Sequence, residues 1–135
     1  AQVKKDSPAL APVRESWADG KDSGPVHWKR IHKVPDFASF PHSAHVGVGV
    51  GENRAAIGCE TCHGRIDQMD VVAQAQPLSM SWCLDCHRNP DPYLRPADEV
   101  TNMDWSPPRD QLESAARIKK AKGIKPPVDC SGCHR

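Results

Sequence analysis

The sequence predicts a mostly irregular fold with short α-helices, little or no β-sheet, and a core that side chains alone do not fill. Three observations predict it. Only 38% of the 135 residues are hydrophobic and 5% are aromatic, so the chain has little apolar area to bury for its length. The 13 Pro and 9 Gly interrupt almost every stretch in which a long regular element could form. No segment alternates apolar and polar residues as a half-buried strand would, whereas a few short segments carry helix start and stop signals. Such a chain either stays disordered or packs against a large apolar group that replaces side-chain burial.

The elements follow in order. Residues 1–26 hold Pro8, Pro12, Gly20, Gly24 and Pro25 among scattered charges and read as an extended N-terminal arm. Such an arm is either a loose terminus or a strap that wraps a partner. Trp17 and the nearby Trp28 favour the strap, because two large aromatics are costly in a free tail. Residues 27–135 form the remaining domain. In 27–46 fall His27, His32, His42 and His45, four of the seven His. Gly47, Gly49 and Gly51 then alternate with other residues. No strand precedes them, so they read as a loop rather than a dinucleotide-binding turn. Asp67 starts a candidate helix through Gln76, stopped by Pro77. Ser79 or Ser81 caps another through Arg88, ended by Asn89-Pro90. Residues 89–109 read as a Pro-rich connection. The clearest helix starts at Asp110, with a capping-box-like Asp110/Glu113 pair. It runs to Lys122, with Gly123 at the C-cap and Pro126-Pro127 beyond.

Eighteen basic and 17 acidic residues leave a net charge of +1, which gives no reason to expect a nucleic-acid partner. No apolar run is long enough to predict a transmembrane segment, and no signal-peptide pattern is visible. The Ala1-Gln2 start fits an end left by signal cleavage and a trimmed end equally. Arg117, Lys119, Lys120, Lys122 and Lys125 form a basic stretch, read as a solvated helix face or a docking patch for an acidic partner.

All six Cys fall in one repeated pattern: Cys59-Glu60-Thr61-Cys62-His63, Cys83-Leu84-Asp85-Cys86-His87 and Cys130-Ser131-Gly132-Cys133-His134. This Cys-x-x-Cys-His spacing is the c-type haem attachment pattern. Within one helical turn it presents two thiols to the two vinyl groups of a porphyrin edge and an imidazole to the iron. Zinc would take Cys pairs two at a time and leave one pair over, and it gives no reason for the following His. With seven His in 135 residues, three such placements by chance have a probability on the order of 10⁻⁴. Redox-active Cys pairs need a βαβ context that is not visible. The pattern therefore predicts three haem c groups, with Cys59, Cys62, Cys83, Cys86, Cys130 and Cys133 as attachment residues and His63, His87 and His134 as proximal ligands. No Cys is left for a disulfide.

Each iron has a sixth position. Four His remain, with Met69, Met80 and Met103, so every haem can be bis-His. Filled sixth positions imply electron transfer; an open one implies ligand binding or catalysis. His42 and His45, three apart after Phe40-Pro41, leave one short segment from nearby points. If both bind iron they bind different irons, and the two haems pack closely. The alternative is a solvent-facing pair. His32 is the first choice for the third distal ligand, followed by His27, Met69 and Met80. A His/Met haem would have the higher potential. Phe37, Phe40, Trp28, Trp82 and Trp105 read as packing against porphyrin faces.

The stretch Val34-Pro35-Asp36-Phe37 through Phe40-Pro41-His42-Ser43-Ala44-His45, followed by Cys59-x-x-Cys62-His63, resembles the class III multihaem cytochromes c. That resemblance implies that His42 pairs with the haem of His63 and His45 with the haem of His87. Residues 28–95 also resemble the pentahaem cytochrome subunits of alternative complex III, a menaquinol-oxidising respiratory complex. The resemblance includes Cys62-His63-Gly64, Gln68-Met69 and Leu78-Ser79-Met80-Ser81-Trp82-Cys83-Leu84-Asp85-Cys86-His87-Arg88. Those subunits carry five haems; three attachment segments here imply a shorter relative.

The expectation is a haem-nucleated multihaem cytochrome c. It would act as an electron carrier rather than an enzyme, as a periplasmic subunit or shuttle. It would link a membrane-bound respiratory or photosynthetic complex to another redox protein. Covalent haem attachment of this kind occurs outside the cytoplasm, which implies a periplasmic or other extracytoplasmic location. The rivals are a haem enzyme reducing a small nitrogen or sulfur oxyanion at an open site, and a scaffold in which haems act as staples.

Overall fold

The computed structural model describes residues 4, 6–17, 24–47 and 55–134. The side chain of Trp17, and Gly49 and Gly51 of the expected loop, lie outside the described residues. The chain divides into two compact units, Ala1–Arg30 and Ile31–Arg135, so the boundary falls after Arg30 rather than after residue 26.

In the first unit a 3-10 turn, Pro8–Leu10, leads into helix α1 (Ala11–Trp17). Residues 8–17 are thus helical where the Pro content predicts an extended arm. Pro8 and Pro12 both sit in first turns, where a missing N–H forfeits no intrahelical bond and the fixed φ suits the helix. Arg14 Nη2 donates back to Ser7 O at 2.8 Å and ties the turn to the helix.

The second unit is mostly irregular. Its elements are α2 (Ser43–Val46), β1 (Ala55–Ile57), α3 (Cys59–His63), α4 (Met80–Arg88), β2 (Leu94–Pro96), α5 (Gln111–Lys122) and α6 (Cys130–Cys133). The two strands pair antiparallel, Ala55 with Pro96, Ala56 with Arg95 and Ile57 with Leu94. At three residues each they are too short for a period-2 pattern to register in the sequence. Ala55, Leu94 and Ala115 form a buried cluster, flanked by the half-buried Ile57, Ile118 and Ile124. Among the described residues no large side chain is fully buried. That is a small aliphatic core for a unit of this length.

Helix α4 starts where expected, with Ser79 Oγ accepting the Trp82 N–H at 3.3 Å, and stops before Asn89-Pro90. Helix α5 also matches its expected bounds. Gly123 closes it in the left-handed region at φ +60°, and Ile124 N–H returns to Lys119 O at 3.0 Å. The expected Asp110/Glu113 capping box does not form; the Asp110 carboxylate instead accepts the Ser114 hydroxyl at 2.8 Å and Arg117 at 3.3 Å. The expected helix from Asp67 to Gln76 is only a 3-10 turn, Ile66–Gln68. The Arg65 guanidinium donates to both Asp67 carboxylate oxygens, at 3.0 and 2.8 Å, and so removes the cap. Helix α5 docks on the 90–96 segment: Gln111 Nε2 donates to Asp91 O (2.9 Å) and Leu94 O (2.6 Å), and Lys119 pairs with Asp91. Arg117 and Lys119 of the basic stretch are therefore engaged with the chain's own carboxylates.

Candidate haem-binding site

Each Cys-x-x-Cys-His segment lies on a helical turn. The first is the whole of α3, the second the C-terminal half of α4, and the third α6 with His134 directly after it. This puts both thiols on one side of a turn with the imidazole at its end. Helix α6 is started by Asp129, whose carboxylate accepts the Gly132 N–H at 3.0 Å and the Ser131 hydroxyl at 2.7 Å. These bonds hold the Asp129 carboxyl below the usual carboxylate range.

All six thiols are free. Burial pushes Cys62 up to about 11, and the neighbouring Cys86, Cys83 and Cys59 add to the effect. Burial also raises Cys83, with a contribution from Cys133, and raises Cys86, with a contribution from Cys83. Two consequences follow. The first segment lies close to the second, and the second close to the third. Burial moves Cys62, Cys83 and Cys86 upward, opposite to the lowered value of a nucleophilic or redox-active Cys.

Four of the His residues form two facing pairs. In α2, Val46 N–H returns to His42 O at 2.9 Å, so His42 and His45 leave the same turn. Phe40 packs against both rings, with centroids 5.0 Å from His42 and 4.6 Å from His45. His42 then stands against His63, with ring centres 6.2 Å apart and planes within 9° of parallel. His45 stands against His87 at 6.1 Å and 31°. These separations exceed ring contact. About 2 Å of metal–nitrogen distance plus about 1 Å from nitrogen to ring centre, on each side, gives about 6 Å between two imidazoles sharing a metal.

The hydrogen bonds of the second pair fix its tautomers. His87 Nδ1 donates to Pro127 O at 2.7 Å and His45 Nδ1 donates to Pro41 O at 3.1 Å. With the proton on Nδ1, the Nε2 lone pair of each ring is free to bind metal. In the first pair His63 Nδ1 lies 3.2 Å from His32 Nε2, with the rings edge-on at 4.3 Å. His32 therefore sits behind His63. His45 and His63 are both held below the usual imidazole range, chiefly by burial. The remaining neighbours add to this, His87 and His42 for His45, and His32 and His42 for His63, while the bond to Pro41 opposes it at His45.

The third segment differs. His134 bridges Ala38 in antiparallel fashion, and Ser39 N–H donates to Cys133 O at 2.7 Å. The ring placed against His134 is Phe37, at 5.6 Å and 62% exposed. His27 is exposed and lies in the first unit. Met69 lies beside Gly64, next to the first segment, and Met80 is exposed at the start of α4. Met103 is engaged through its backbone carbonyl with Arg65. Of the expected porphyrin-packing aromatics, Phe40 lies against both His42 and His45, and Trp28 is exposed in the first unit. Trp82 is half-buried. Trp105 has a different partner, since the Arg95 guanidinium covers its ring at 4.1 Å.

Arg95 gave no signal in the sequence. It is 3% exposed, pairs with Glu60 inside the first Cys-x-x-Cys-His segment, and reaches Glu99 O and Asn102 O at 3.4 Å. Its guanidinium occupies the space a Cβ at Gly58 would need, so a side chain at that position would have to displace Arg95. Cys59 N–H donates to Val100 O at 3.1 Å beside it. This knot fixes the start of α3.

No family model matches the chain, and no curated protein does. Among the described residues no three His, Cys, Asp or Glu converge as ligands of a bare metal ion, and no helix is long and apolar enough to cross a membrane.

Proposed function

We propose that the chain is a trihaem cytochrome c that transfers electrons. The observation that carries the reading is the spacing of His42 from His63 and of His45 from His87, 6.2 and 6.1 Å between ring centres, beside two Cys-x-x-Cys pairs. His42 with His63, and His45 with His87, would each hold one haem iron through their imidazole nitrogens. Haem bound there would supply one-electron redox chemistry, and two imidazoles on one iron would leave it no position for substrate.

The chain's residues orient and shield the group. Pro127 and Pro41 carbonyls hold the rings of His87 and His45, and Phe40 fills the space between His42 and His45. The small aliphatic cluster supports the same reading, because three porphyrins would supply most of the missing core. Helix α2 sets one imidazole against each of two segments, so two haems held there would lie close together, as rapid transfer requires. The resemblance to class III multihaem cytochromes c and to pentahaem subunits of alternative complex III supports a periplasmic subunit or shuttle beside a membrane complex, handing electrons to a redox protein. The test is an alkaline pyridine haemochrome spectrum with the intact mass of the mature protein. Three haem c per chain is expected; any other count would sink the trihaem reading.

A second reading is favoured by one observation: Phe37, not an imidazole, stands against His134. If no ligand reaches that iron, the third haem is an open site that binds small molecules and reduces an oxyanion. Carbon monoxide binding to one haem in three, with turnover of nitrite or sulfite, would support it over a pure carrier.

A further inference from the structure

We infer that His32 is a positioning residue for His63 and sets the reduction potential of the first haem, rather than serving as an axial ligand; this rests on the haem reading above. The geometry is direct. His32 Nε2 lies 3.2 Å from His63 Nδ1, and the rings meet edge-on with centres 4.3 Å apart and planes at 76°. His42 stands 6.2 Å from the same His63 ring. His63 thus has one imidazole at axial spacing and another on its Nδ1.

The proton assignment follows from ligation. A neutral imidazole that binds metal through Nε2 carries its proton on Nδ1 and donates it to a neighbour. His87 does this toward Pro127 O and His45 toward Pro41 O. His63 has no carbonyl in that role; its Nδ1–H donates to the Nε2 lone pair of His32. His32 then carries its own proton on Nδ1. An imidazole nitrogen is a stronger acceptor than an amide carbonyl, so His63 gains more anionic character than His87 does. A more basic axial ligand stabilises the ferric iron and lowers the potential. The first haem is therefore the more reducing of the two whose axial His lie in pairs. His32 is half-buried, which keeps water from competing for the bond.

The experiment uses the full-length holoprotein with His32→Phe and His32→Gln. Haem count by pyridine haemochrome comes first: a count other than three in the wild type would be a failure of the haem reading, not of this inference. With three haems present, spectroelectrochemical titration reads the midpoints. His32→Phe removes the acceptor, and one midpoint rises by about tenfold in the reduction equilibrium, about 59 mV for one electron, with the spin state unchanged. His32→Gln restores an acceptor oxygen, and the midpoint moves back toward the wild-type value. A new high-spin haem in either variant would overturn the inference, because His32 would then be a ligand. An unchanged set of midpoints would overturn it too. Should His32→Phe fail to mature, the wild-type protein still gives an answer. The His63 Nδ1 proton should exchange slowly with deuterated water in the NMR spectrum, and rapid exchange would count against the bond.

Discussion

The first two Cys-x-x-Cys-His segments and the third are alike in sequence and unlike in their surroundings. His63 and His87 each face a second imidazole at about the same spacing, and both partners come from the single turn of α2. His134 faces Phe37 and is tied to the same stretch of chain by backbone alone, through Ala38 and Ser39. The Cys-x-x-Cys-His motif thus fixes two thiols and the imidazole that follows them and says nothing of what faces that imidazole. The facing ring comes from a separate segment whose placement depends on packing.

The largest effect expected from breaking this comparison comes from α2. On the proposed haem reading, His45→Ala in the holoprotein would remove one axial ligand while leaving the covalent links. Three haems per chain should remain, one should become high-spin, and that one should bind carbon monoxide. His42→Ala should do the same at the other haem. Phe37→Ala, at the third segment, should leave both signals unchanged. If His45→Ala leaves the spectrum low-spin, the pairing of His45 with His87 is wrong.

The second effect is on stability, and it is confined to the first segment. Arg95 is buried against Glu60, Trp105 and two carbonyls. Arg95→Leu leaves the Glu60 carboxylate half-buried without its partner, at a cost of about 3–5 kcal/mol. Urea unfolding would measure it. The double variant Arg95→Leu/Glu60→Leu should recover much of the loss, since removing both charges also removes the desolvation penalty. Helix caps give smaller effects. Ser79→Ala takes the acceptor from the Trp82 N–H at the start of α4 and should cost about 1 kcal/mol. Gly123→Ala forces an alanine into φ +60° with open space around it and should also cost about 1 kcal/mol.

Much of the second unit was legible from the chain. Cys, Pro and cap residues carry local rules, so α4, α5 and the three attachment segments stand where the pattern puts them. Failures occurred where a distant residue decided. Arg65 captured Asp67 and left only a 3-10 turn where the cap residue predicted a helix. Arg95 covers the Trp105 ring at 4.1 Å, a contact that no local pattern announces. The strands escaped notice because three residues of Ala, Ile, Leu, Arg and Pro carry no period. His32 has a contact that no count of His shows: its Nε2 lies 3.2 Å from His63 Nδ1.

The smallest effect expected is a pH dependence peculiar to the third segment. The Asp129 carboxyl is held below its usual range, first by the Ser131 hydroxyl and then by the Gly132 N–H. Its folded value is therefore lower than its unfolded one. The cap contributes fully above the unfolded value, about 4, and its contribution is lost as pH falls through the folded value. The group is fully exposed, so salt and solvent keep the effect small. Thermal melts of the wild type and Asp129→Ala between pH 3 and 7 should converge at the acid end and separate toward neutrality. Ser79, an uncharged cap on the second segment, should give a Ser79→Ala difference that does not vary with pH. If the two differences vary alike, the starts of α4 and α6 are not held by distinct chemistry, and the contrast between the segments lies only in what faces each imidazole.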